Sequence, residues 1–217
     1  MRIKLAFLTF LLLAATLCVS AQTSPAAFVR PSTEPSYAEL VARLKSGDSG
    51  VDFKALRMKY TETKDYDPAG LSPELRDRMY KAINEKKFEE ARSMAESVLK
   101  KNYVDISAHL VAGIANEALC DTAKFEFHRQ VFLELIASII NSGDGRSRET
   151  SLAVISAPEE YAVLDYLKFA RTSQFSASGD GHMYDVLSVT DKETGGTLKL
   201  YFNIDAIWKA RNKSLKN

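Results

Sequence analysis

Among the side chains within residues 125–161 that are of the types that move protons, three stand out: His128, Asp144 and Glu160. An imidazole titrates near neutrality, and set beside a carboxylate that orients it, it can draw a proton from water or an alcohol. His128 falls between Phe125 and Phe132 on the apolar side of a long helical pattern. Asp144 sits in the turn Ser142-Gly143-Asp144-Gly145, and Glu160 follows Glu159 where another helix begins. A site built from them would be hydrolase-like, with Asp144 and Glu160 as acid/base groups and His128 as base or orienter. It requires all three side chains to reach one cleft. Each residue also has a plainer role. A histidine on an apolar helix face is commonly half-buried with one hydrogen bond. Ser-Gly-Asp after a helix closes the helix and starts a turn, and the same tripeptide recurs at Ser46 and Ser178. Glu159 and Glu160 point about 100° apart on a helix, which makes Glu159 the better cap and Glu160 the freer carboxylate.

Ligand-binding groups are sparser. The amides around Ser142, Gly143 and Gly145 offer a small anion cradle, and Tyr161, Tyr184 and Tyr201 offer aromatic surface. His109 and His182 lack a second ligand at metal spacing, and no D-x-D-x-D run suits calcium. Gly-x-Ser-x-Gly, phosphate-loop and dinucleotide motifs do not occur in the sequence. The sequence therefore leads to no cofactor and no metal, and leans away from an enzyme.

The elements that must position these residues follow from periodicity. Ser36 opens a helix with Tyr37, Leu40, Val41 and Leu44 on one face, stopped at Gly47. A short helix over residues 52–60 carries Phe53, Leu56 and Tyr60. Ser72-Pro73-Glu74 is a strong helix start, and the apolar stripes after it and after Phe88 mark two antiparallel neighbours. Residues 105–141 repeat the two-helix plan, broken near Cys120-Asp121. Lys87-Phe-Glu-Glu-Ala91 and residues 108–113 resemble the tetratricopeptide repeat in spacing. Beyond Arg148 the period changes. Residues 151–156 suit a strand, and Ser156 with Glu159 has capping-box spacing for a helix ending near Phe169. Residues 182–190 and 198–204 suit strands joined by the turn Lys192-Glu-Thr-Gly-Gly196, with Leu198, Leu200, Phe202 and Ile204 inward. Asp205 starts a last helix bearing Ile207 and Trp208.

The first residues read as an export leader: Arg2 and Lys4, an apolar run to Val19, and a small-residue site with cleavage after Ala21. The run is short for a bilayer span, so no membrane anchor is expected after cleavage. Losing Arg2 and Lys4 takes the formal net charge from +1 to −1, which is no footprint for nucleic acid. Cys18 leaves with the leader; Cys120 then has no disulfide partner and is expected to be a small packed residue. The expected organisation is a signal peptide over residues 1–21, a disordered linker over 22–35, and one α+β domain over 36–217. Within that domain residues 36–145 are helical, with repeat-like antiparallel hairpins, and pack on a small antiparallel sheet and C-terminal helix within residues 146–217.

Several pieces taken in order resemble the family called domain of unknown function 4919. They are Tyr37-Ala-Glu-Leu40, Ser46-Gly-Asp48, residues 53–60, Tyr66-Asp67-Pro68, residues 139–145, Val154-Ile155, Glu159-Glu160-Tyr161 and residues 200–204. The resemblance implies a secreted or periplasmic bacterial protein with an α+β domain, and it carries no activity, cofactor or catalytic residue. The resulting expectation is a binding or interaction module for another envelope protein or a peptide, with the hydrolase-like site as the alternative.

Overall fold

Helix ends in this chain are written in short polar side chains. Ser36 accepts from the Glu39 amide while Glu39 reaches back to Ser36, a full capping box that opens α1 (Tyr37–Lys45). Asp52 caps α2 (Phe53–Tyr60) and Ser72 caps α3 (Pro73–Asn84), whose Pro73 gives up no hydrogen bond at the first turn. The aromatic and small residues of α4 (Phe88–Leu99) return antiparallel to α3. Asp105 and Asp121 cap α5 (Ile106–Ala118) and the long α6 (Thr122–Ile140). Then come the two-residue strand β1 (Leu152–Ala153), α7 (Ala157–Tyr166), β2 (Phe169–Gly179), β3 (His182–Asp191), β4 (Thr197–Asn203) and α8 (Asp205–Ser214). This computed structural model describes residues 34–214, and those from Pro35 onward fall in one compact unit. The leader, its cleavage point and nearly all of the expected linker lie outside the described residues.

The fold is α+β, with the helices ahead of a four-stranded sheet of order β1-β4-β3-β2. The sheet is mixed rather than antiparallel throughout, because β1 runs parallel to β4, with Leu152 opposite Phe202. Leu187 opposite Leu200 and Val189 opposite Leu198 set the inward face, which joins the helical core through Leu135, Ile136, Ile139, Val163 and Leu164.

Three details depart from the sequence reading. The helix starting after Ser156 stops at Tyr166, because Lys168 takes φ +61° and turns the chain into β2, an edge strand whose Ser, Thr and Gln side chains are mostly exposed. Ser156 makes no side-chain cap, and the Glu159 carboxylate that would complete a capping box binds Arg57 and the Ile155 amide instead. Cys120 is exposed rather than packed: it closes α5 at φ +60°, a position where the side chain is carried away from the core. The tripeptide at Ser178 ends in the β2–β3 turn, where Asp180 and Gly181 take φ +53° and +80°, the hand a two-residue hairpin loop demands.

Candidate functional site

His128, Asp144 and Glu160 occupy three separate environments. From His128 to the end of α6 is about 18 Å along the helix axis at the usual rise per residue, and Asp144 lies beyond that end. His128 instead meets His109 of α5, Nδ1 to Nδ1 at 3.0 Å. His109 Nε2 lies 3.0 Å from the Tyr103 carbonyl, which can only accept. In the neutral pair, then, His109 carries its proton on Nε2, and His128 donates from Nδ1 to the bare Nδ1 of His109. Burial holds His109 down at about 3 and lowers His128 as well, so both imidazoles are neutral near pH 7.

Asp144 holds its own loop together. Its Oδ1 accepts from the Arg146 amide at 2.9 Å and from Thr150 Oγ1 at 2.5 Å, and these bonds keep the exposed carboxyl below its ordinary range. Ser142 Oγ donates to the Ile139 carbonyl and accepts from the Ala153 amide, tying the end of α6 to β1. The Gly143 and Gly145 amides donate to the Ile140 and Thr150 carbonyls, so neither is left for an anion. Glycine is required at 143 for space: a methyl there would run into the Thr150 carbonyl. Gly143→Ala is accordingly expected to cost about 1–3 kcal/mol, the usual range for overpacking a tight site. Urea denaturation of the variant reads that cost, and a wild-type midpoint would show that the loop gives way freely.

The two glutamates of α7 diverge, as their spacing requires. Glu159 is paired with Arg57 of α2 in a buried fork: Nε to Oε1 at 2.9 Å and Nη2 to Oε2 at 2.5 Å. Arg57 also donates to the Ala153 carbonyl at 2.9 Å and to Ser138 Oγ at 3.3 Å, while the Ile155 amide donates to Glu159 at 2.8 Å. Sequence reasoning passed over Arg57, although a signal was present. Phe53, Leu56, Arg57 and Tyr60 fall at i, i+3, i+4 and i+7, so the arginine shares the stripe that α2 buries.

Glu160 is fully buried and faces β2 and β3. Its carboxyl is pushed up to about 9, first by burial and then by the Asp185 carboxylate within hydrogen-bond reach. Oε1 has no donor nearby, which is the condition of an acid group that carries a proton and donates it. We assign that proton to a bond from Glu160 to Asp185. Gln174 Nε2 donates to Asp185 at 3.0 Å and to Glu160 Oε2 at 3.4 Å, and Ser176 Oγ donates to Asp185 at 2.5 Å. Tyr161 completes the cluster: its hydroxyl accepts from Arg171 at 2.9 Å and donates to Gln174 Oε1 at 3.1 Å.

The ring of Tyr161 also lines a groove of about 520 Å³ between α3, α5, α6 and α7. Ile106, Leu110, Phe132 and Ala162 make its apolar surface, Tyr80 and Tyr166 its aromatic edge, and Arg76, Asp165 and Lys168 its charged rim. Tyr166 is 45% exposed there. Tyr184 and Tyr201 lie elsewhere, together on the other face of the sheet from Leu187, with Tyr184 buried under the Arg148 guanidinium. Among the described residues no group of three or more His, Cys, Asp or Glu is placed to hold a metal ion. The polar groups that could do chemistry are thus dispersed as structural pairs, and the groove adds an apolar surface with an exposed aromatic edge at Tyr166.

No curated protein and no solved structure matches the chain. A family model described as Domain of unknown function (DUF4919) matches residues 28–213. That match runs through every helix and strand from α1 to the last turn of α8, and the chain belongs to the DUF4919 family.

Proposed function

We propose that this protein is an exported, non-enzymatic binding module that takes a segment of another envelope protein or a peptide into the groove beside α7. The observation that carries this reading is the groove itself, an open apolar trough of about 520 Å³ edged by Tyr80, Tyr161 and Tyr166. Aromatic side chains with one polar end are the groups that supply most of the energy at protein interfaces. Tyr161 is held in place by Arg171 and Gln174, so its ring is set before any partner arrives. A hydrolase at the Ser142–Gly145 turn would need His128, Asp144 and Glu160 in one cleft, and each of them is spent on a different neighbour. The basic start, apolar run and small-residue site over residues 1–21 support export, with the mature chain beginning at Gln22 in the periplasm or outside the cell.

Selection of a displayed peptide library on the full protein tests the reading. Peptides with an apolar or aromatic anchor are expected, and Tyr166→Ala, at an exposed position, should weaken them about tenfold or more. Recovery of no peptide, or of peptides bound equally by the variant, would sink the proposal. N-terminal sequencing of protein from fractionated cells checks export separately, with Gln22 as the expected first residue.

A further inference from the structure

A second concave surface shares no lining residue with the groove. It is a cleft of about 640 Å³ between the loop after α2 and the outer side of α8. Lys64, Lys209, Arg211 and Lys213 line it, against a single carboxylate, Asp67. None of the four cations forms an ion pair among the described residues, whereas Lys59 and Glu62, a few residues earlier, are paired at 3.2 Å. Three of the four lie on α8, which presses Ile207 into the core and leaves Trp208 44% exposed, one position before Lys209 and outside the cleft lining. Cations with an exposed tryptophan on one short helix match the layered chemistry of a lipid headgroup region, phosphate outside and acyl chain beneath.

We propose that α8 and the Lys64 loop dock on an anionic phospholipid surface, with Lys64, Lys209, Arg211 and Lys213 on the phosphates and Trp208 at the headgroup level. The docking is peripheral: no helix among the described residues is long and apolar enough to cross a membrane. It positions the protein at the envelope face and does not depend on what the groove beside α7 binds.

Sedimentation of the chain from Gln22 onward, the mature form proposed above, with vesicles tests this, using phosphatidylcholine alone and phosphatidylcholine with one third phosphatidylglycerol. Partitioning is expected to favour the anionic vesicles and to fall steeply between 0.1 M and 0.5 M salt. Lys209→Gln with Lys213→Gln should lower it about 25-fold, at roughly fivefold per cation, while Lys209→Arg with Lys213→Arg restores it. Trp208 fluorescence should shift to the blue on binding. Equal partitioning of the glutamine variant and the wild type overturns the proposal. So does a variant that loses binding to soluble polyglutamate or polyphosphate but keeps its vesicle binding, because the occupant is then an acidic polymer.

Discussion

Arg57→Ala is expected to lower stability by about 3–5 kcal/mol, the cost of leaving a buried charge without its partner. Arg57 is only 2% exposed, and its four hydrogen bonds reach α6, β1 and α7, so one guanidinium spans the junction between the helical part and the sheet. Removing it strands the Glu159 carboxylate and the Ala153 carbonyl in a space that water enters poorly. Tyr66 reinforces the same junction by donating to the Ile155 carbonyl at 2.6 Å, but it carries no charge to offset Glu159. The paired variant Arg57→Met with Glu159→Leu removes both charges and fills similar volume. It is expected to recover part of the loss: a buried ion pair stabilises little relative to good apolar packing, but the Ala153 carbonyl and the Ile155 amide stay without their partners. Urea denaturation with an unchanged slope is the measurement. If Arg57→Ala lies within 1 kcal/mol of wild type, or if the double variant is as unstable as the single one, the pair does not hold this junction.

Why the sequence showed so much of the helical part and so little of this junction has a physical answer. Helices α1 to α6 announce themselves through caps at Ser36, Asp52, Ser72, Asp105 and Asp121 and through apolar stripes that repeat locally. Strand β4 does the same with Leu200 and Phe202 inward and Lys199 outward. Edge strand β2 does not, because one side of its ladder and most of its side chains face water, and nothing forces an alternating pattern on Phe169–Gly179. The stop of α7 was harder to see because Lys168, not glycine, takes the left-handed turn; at Lys86 and Cys120 the break in the apolar stripe still marked the helix end.

The candidate site failed to assemble for a related reason. His128, Asp144 and Glu160 are close in sequence, yet a 19-residue helix carries the first far from the second. The partners that matter, His109, Arg57 and Asp185, come from other elements. Spacing along a chain reports which face a residue is on. It does not report which distant residue that face meets, so Glu159 and Arg57, 102 positions apart, could be matched only in three dimensions.

Glu160→Gln is expected to abolish most of the decline in stability that the wild type shows between pH 6.5 and 9. An unfolded Glu160 releases its proton near pH 4.5, whereas the folded carboxyl keeps it to about 9. Within that window the unfolded chain sheds a proton that the fold retains, so stability is complete below 4.5 and declines as pH rises toward 9. The limiting slope for one proton is about 1.4 kcal/mol per pH unit. Other buried groups act in other ranges. The depressed His109 and His128 cost stability only as pH falls below 6.5, and Asp105, raised to about 6, has completed its loss by then. Tyr37, Tyr60, Tyr66 and Tyr103 are all pushed well above 10. The alkaline limb therefore belongs to Glu160, whose carboxyl is raised first by burial and then by the neighbouring Asp185. A glutamine keeps the shape, donates to Asp185 through its amide and has nothing to titrate, so its stability profile should run flat from pH 6.5 to 9. Asp185→Asn removes only the neighbouring charge. Because burial is the larger cause of the shift, that variant should keep part of the slope, and the difference between the two variants separates burial from repulsion. Denaturant midpoints at four or five pH values suffice. A glutamine variant with the wild-type slope would mean that Glu160 is ionised in the fold and that its proton is not what joins α7 to β3.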